Sequence, residues 1–208
     1  MITRPDNEET RKLAAGIISN GGLIAFRTDT FYGLGADPLN EAAVDRIKTV
    51  KGRDEGKPIL LLIAELTDLD PLVLSIPPLY RKVAEAFWPG PLTIVMPADP
   101  QLPDGVTAGT GSVGLRLPDD ARLRALVAEC GGRLTATSAN VSGSEPATSA
   151  ADVQRYFSSG VDLIIDGGEV QVTKPSTVID INANPPRLIR EGAISREQLK
   201  KTLGFEFG

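Results

Sequence analysis

The sequence predicts an α/β fold, and three observations carry that prediction. Segments of helical and of strand periodicity alternate along the chain, the strand segments are almost wholly apolar, and polar clusters recur where those strands begin or end. With 208 residues, 41% of them hydrophobic, the chain has enough material for a substantial core, and a single domain over residues 1–208 is the expectation.

The elements follow in order. "PDNEETRKLAAGIISNGG" places Leu13, Ala14, Ile17 and Ile18 on one helical face, with Asp6 as N-cap, Glu9 three residues on, and Gly21-Gly22 as the stop. "LIAF" (Leu23 to Phe26) reads as a short buried strand. "NEAAVDRIKTVKG" reads as a helix opened by Asn40 and closed by Gly52, and "PILLLIA" as an apolar strand. Further helices fit Pro78–Phe87, Ala121–Cys130, Ser149–Tyr156 and Ser195–Leu203, the last with a Ser195/Gln198 capping box. Strands fit Leu92–Met96, Val113–Leu117, Leu134–Ala136, Leu163–Ile165, Thr177–Ile181 and Arg187–Ile189. "PADPQLPDGVTAGTGS" is the one stretch loose enough to be a sizeable loop.

Composition then removes whole classes of chemistry. There is no histidine and one cysteine, Cys130, so a disulfide framework, the usual Cys/His zinc sites and any histidine-based triad are excluded. Catalysis must rest on Lys, Arg, Asp, Glu, Ser, Thr, backbone amides or the substrates' own groups. No stretch approaches the roughly 18 apolar residues of a membrane span, and "MITRPDNEET" is not a secretory signal, so a soluble, cytoplasmic protein is expected. A net charge of −5 argues against coating nucleic acid by bulk charge, while leaving room for a local basic surface.

Within that acidic chain, Lys51, Arg53 and Lys57 fall inside seven residues. Lys51 sits in the last turn of a helix, where a cation opposing the helix dipole needs no further role, but Arg53 and Lys57 lie beyond the helix, in an exposed loop or a binding site. "TSANVSG" has the residues of a plain turn, with Ser138, Asn140 and Ser142 offering polar groups. "YGLGAD" lacks the third glycine of a dinucleotide fingerprint, and there is no P-loop motif. Because ligands in open α/β sheets bind just outside strand ends, "RTDTFYGLGAD", "KGRDEGK", "TGSVGLR", "TATSANVSG", "KPSTVID" and "RLIREG" could converge on one cavity.

Taken in order, "TDTFYGLG", "KGRDEGKP", "FWPGPLTIV", "VGLRLPDD", "TSANVSG", "PSTVID" and "IREG" resemble the YrdC-like domain of threonylcarbamoyl-AMP synthases, from about Leu23 to Gly192, in its short form without an additional C-terminal domain. The resemblance implies a twisted mixed sheet with flanking helices around a large concave cavity. It also implies a nucleotidyltransferase that condenses L-threonine, bicarbonate or CO2 and ATP, with Mg2+, into threonylcarbamoyl-AMP and pyrophosphate for tRNA modification through threonylcarbamoyl-transfer proteins. By motif position Lys51 and Arg53 would be catalytic. Arg53, Lys57, Ser112, Ser138, Asn140 and Arg190 would bind ATP, and Thr30, Arg116 and Ser176 would hold threonine; no protein metal ligands are implied. The chain departs from many relatives at Arg27 (often Pro), at Leu62 (a histidine in some long forms) and near Pro146 (often a serine). The same fold could instead serve a paralogue that binds double-stranded RNA or tRNA in ribosome maturation, with tight, salt-resistant affinity, whereas a local basic cavity on an acidic enzyme implies at most weak RNA binding that falls steeply with salt. A carbamoyl-transfer module of a hydrogenase-maturation protein fits less well, since the chain lacks the zinc-finger and acylphosphatase-like segments of such proteins.

Overall fold

The structure, a computed structural model, describes residues 1–52, 56–171 and 174–208. Its strands are β1 (Ile2–Pro5), β2 (Ile24–Arg27), β3 (Tyr32–Gly35), β4 (Leu60–Ile63), β5 (Leu92–Pro97), β6 (Ser112–Arg116), β7 (Arg133–Ser138), β8 (Leu163–Asp166), β9 (Thr177–Asp180) and β10 (Arg187–Arg190). Its helices are α1 (Glu8–Ser19), α2 (Glu41–Lys51), α3 (Tyr80–Phe87), α4 (Asp104–Thr107), α5 (Ala121–Glu129), α6 (Ala150–Tyr156) and α7 (Arg196–Leu203), with a 3-10 turn over Leu66–Leu69.

The strands form one mixed sheet in the order β1-β8-β2-β3-β7-β4-β6-β5-β9-β10. β4 is its hinge: antiparallel to β7 through Leu61↔Thr135 and parallel to β6 through Leu61↔Leu115. The apolar run that predicted β4 is buried because its side chains alternate between two cores. Leu61 and Ile63 join Ile94, Leu115, Ile47 and Val83 under α2 and α3, whereas Leu62 joins Phe26, Leu134, Leu123 and Leu126 under α1 and α5. A third cluster, with Ala25, Leu34 and Ile164, packs under α6. No helix among the described residues is long and apolar enough to cross a membrane.

The caps test the sequence reading locally. Asn40 caps α2 by accepting from Ala43 N, Gly52 ends it in the left-handed region, and Ser195 and Gln198 form the expected capping box on α7. The N-cap of α1 is Asn7, not Asp6. Asn7 Oδ1 accepts from Thr10 N at 2.9 Å, while Asp6 still belongs to the strand side, its backbone N donating to Asp166 O at 3.0 Å and its carboxylate pairing with Arg11 at 2.6 Å.

Two strands and a helix escaped the sequence reading. β1 pairs in parallel with β8 although Ile2 is exposed and Pro5 ends it. β3 contains Gly33 and Gly35, poor strand residues, yet Gly35 is required by packing: a Cβ there would lie 2.7 Å from the Phe26 ring and 2.9 Å from Leu134. The expected loop of residues 97–112 contains α4, whose Val106 is buried in the first core.

Candidate functional site

A cavity of about 460 Å³ opens where β2, β3, β4, β6, β7, β9 and β10 begin or end. One wall is the β2–β3 turn. Thr28 organises it: its hydroxyl donates to Phe31 O at 2.6 Å and accepts from the amides of Thr30 and Phe31 at 3.2 Å. Thr30 Oγ1 lies 3.1 Å from Thr28 Oγ1 and lines the cavity. Hydroxyl-to-backbone bonds of this kind fix a turn without a glycine. Tyr32, also in the wall, donates to Gly168 O at 2.9 Å, and burial pushes its phenol up to about 12. It is a neutral structural group at any ordinary pH.

Two guanidiniums face the same space. Arg116 is 4% exposed at the end of β6, its Nε donating to Gly90 O at 3.0 Å and its Nη2 pairing with Asp29 at 2.6 Å. Arg190, at the end of β10 and on the rim, donates to Ser176 O at 2.9 Å and Ser176 Oγ at 3.2 Å. Desolvation, and then the Arg116 charge, lower the pKa of Arg190 from the usual arginine range. Its acceptors among the described residues are neutral oxygens, and among those residues Asp29 offsets the charge of Arg116, so the described part of the cavity carries positive charge. Such a site favours an anion.

Ser176 is buried between Thr93, 3.0 Å from its hydroxyl, and Arg190. Gly192 fixes the loop it sits on. A Cβ at Gly192 would press into the Pro175 carbonyl and come within 2.7 Å of the Ser176 backbone, so only glycine lets the chain after β10 lie against this segment. The spacing R-x-G is thereby explained: Arg190 holds Ser176, and Gly192 permits the approach.

Not every expected residue lines this cavity. Thr30, Arg116, Ser138, Ser176 and Arg190 do. Ser112 lines an adjoining, more apolar hollow of about 410 Å³ that shares Pro58, Leu60 and Arg190 with the first. Lys57 is exposed beside Pro58, which walls both spaces. Arg53 lies outside the described residues. Lys51 stands apart from the expectation of a cation beside ligand. It is 3% exposed, and its ammonium donates to the backbone carbonyls of Ser138 and, at 2.9 Å, Asn140. Asn140 is 6% exposed, and its amide donates to Val141 O at 2.9 Å and Ser144 O at 2.7 Å. Both residues lie behind the wall that Ser138 and Pro146 present.

Leu62 and Pro146 line the cavity, while Arg27 turns to Asp120 at 3.7 Å. Sequence reasoning passed over Thr28 and Asp29, although both stand in the "RTDT" segment it singled out. The signal for Thr28 was its place at the start of a turn, whereas the Asp29–Arg116 pair spans 87 residues and no local pattern encodes it.

The family model for Sua5/YciO/YrdC, described as telomere recombination, matches residues 16–192. The chain is similar to the threonylcarbamoyl-AMP synthase of Pyrococcus abyssi, 40% identical over 193 residues, covering 93% of this chain and 57% of that protein. It is also similar to the threonylcarbamoyl-AMP synthase of Thiobacillus denitrificans, 38% identical over 181 residues, covering 87% of this chain and 96% of that protein. The crystal structure of P. abyssi Sua5 complexed with L-threonine superposes with a TM-score of 0.91 at 38% identity, over 100% of this chain and 61% of that one. This chain thus spans under two thirds of the length of the P. abyssi relative. With a family match over residues 16–192 and relatives at this identity, the chain belongs to the Sua5/YciO/YrdC family.

Proposed function

We propose that the protein is a threonylcarbamoyl-AMP synthase, condensing L-threonine, bicarbonate or CO2 and ATP into threonylcarbamoyl-AMP and pyrophosphate. The observation that carries this reading is the pair of guanidiniums, Arg116 and Arg190, facing one cavity whose polar wall is otherwise hydroxyls. Two anionic substrates, an amino-acid carboxylate and a nucleotide triphosphate, match that charge. A relative solved with L-threonine supports the amino-acid half.

In this reading Arg116, held from behind by Gly90 O and Asp29, takes the threonine carboxylate, and Thr30 and Ser176 bond its polar groups. Ser112, Ser138, Lys57, Arg53 and Arg190 hold ATP across the two adjoining hollows, the cations nearest the phosphates. Mg2+, if it accompanies ATP, would be carried on those phosphates and would help to neutralise their charge. The threonine amine, once neutral, adds to CO2 and releases a proton, and a carbamate oxygen then attacks the α-phosphorus as pyrophosphate leaves. Positioning and charge neutralisation supply the catalysis, which suits a chain without histidine. The product passes to threonylcarbamoyl-transfer proteins for tRNA modification.

The test is pyrophosphate release measured with ATP and each of several amino acids, with and without bicarbonate. The reading expects release that requires threonine and bicarbonate together; release with ATP alone, or equally with every amino acid, would overturn it.

A further inference from the structure

Lys51 is the last residue of α2, yet it is stapled to a segment about 90 residues away. Its ammonium donates to the carbonyls of Ser138 and Asn140, and its own carbonyl accepts from Ser142 N at 2.9 Å. One residue therefore fixes three successive alternate positions of the turn that follows β7. Asn140 completes that turn from inside, its amide reaching Val141 O and Ser144 O, while Ala139 N anchors it to Tyr32 O at 2.7 Å. The cavity-facing products of this scaffolding are the half-buried Ser138 and Pro146, whereas Lys51 and Asn140 are 3% and 6% exposed behind them. A buried ammonium is costly unless its protons are satisfied, and backbone carbonyls held at fixed spacing are what it finds here.

We propose that Lys51 and Asn140 are positioning residues that act on the nucleotide through Ser138, by holding the 138–144 turn in shape, and that neither touches the ligand. This rests on the ATP-binding reading above and divides its motifs in a new way. Lys51 and Asn140 are then one buried unit whose outward product is the Ser138 hydroxyl.

The experiment is a double-mutant cycle on the full chain, with the KM for ATP and kcat measured separately. Lys51→Met should raise the KM for ATP about tenfold in the otherwise unchanged protein and less than twofold in a Ser138→Ala background, while multiplying fully with Lys57→Ala. Lys51→Arg should be as impaired as Lys51→Met, because the longer planar guanidinium cannot reach both carbonyls in the same space. If Lys51 instead bound phosphate, Lys51→Arg would retain most of the affinity and Lys51→Met would multiply with Ser138→Ala; either result overturns the proposal. Should the Lys51 variants not fold, Asn140→Ala carries the same test: a tenfold rise alone and under twofold on Ser138→Ala, with an unchanged KM or full multiplication as the contrary result. Hydrogen exchange on the ligand-free Asn140→Ala protein separates this inference from the function itself. Faster exchange confined to residues 138–146 supports the scaffold even if no adenylate is formed, and unchanged exchange there refutes it.

Discussion

Replacing Arg116 with Met separates the two roles the structure gives this side chain. Arg116 is 4% exposed and donates to Gly90 O at 3.0 Å and to Asp29 at 2.6 Å. Losing the bond to the buried carbonyl costs about 1.5–3 kcal/mol, because a charged donor is removed and the acceptor is left unpaired. The ion pair adds less, about 0.5–1 kcal/mol, since the Asp29 side chain is 38% exposed and water screens it. Together these give about 2–4 kcal/mol, a fall in Tm of roughly 5–15 °C for a chain of this size. If Arg116 also binds a carboxylate, the loss of that charge-assisted contact raises the KM for threonine roughly 10- to 100-fold and leaves the KM for ATP nearly unchanged. Lys57→Ala is the counterpart: exposed, it should leave Tm within about 1 °C and raise the KM for ATP. Thermal unfolding and initial rates on both variants check this. A lowered Tm in Arg116→Met with an unchanged threonine KM would refute the binding role and leave Arg116 a strut between β6 and the β2–β3 turn.

Gly192→Ala drives a methyl group into the backbone of Pro175 and Ser176; it should lower stability by about 1–3 kcal/mol and raise the KM for threonine, both read on one preparation. Burial, and secondarily the charge of Glu129, push the Cys130 thiol up to about 12, from 9.0 in the unfolded chain. The native state keeps this proton where the unfolded state releases it, so the stabilisation is complete below about pH 9 and is lost as pH rises toward 12. Chemical denaturation across that range should show a smaller alkaline loss in Cys130→Ser, and the same variant should keep the wild-type rise of rate with pH through neutrality, which follows the threonine amine. Affinity for duplex RNA or tRNA should be weak and fall steeply between low and physiological salt, as expected of a local basic surface on a chain of net charge −5.

Where local chemistry decides, the sequence was readable. The α2 caps, the α7 capping box and the apolar β4 each follow from a few adjacent residues whose preferences agree with their surroundings. β3 was not readable, because its glycines disfavour a strand and only the Phe26 and Leu134 side chains, from two other strands, make Gly35 necessary. The same division holds at the site. The family resemblance of the ordered motifs pointed to Thr30, Arg116, Ser138, Ser176 and Arg190, which the fold brings to one cavity. The partnership of Arg116 with Asp29, and the enclosure of Lys51 beneath the 138–144 turn, depend on contacts across some 87 residues that no window of sequence contains.

In the proposed function, threonine, dissolved CO2 and ATP meet in the cavity that Arg116 and Arg190 line and in the hollow adjoining it. Incubating the protein with ATP, carbon-labelled bicarbonate and threonine, then resolving the nucleotide products by mass, tests it most directly. A labelled threonylcarbamoyl adenylate should form with threonine, be absent without it, and be strongly reduced in Arg116→Met and Lys57→Ala. An adenylate carrying threonine but no label would contradict it, because the amino acid would then have been activated at its own carboxylate and not through a carbamate.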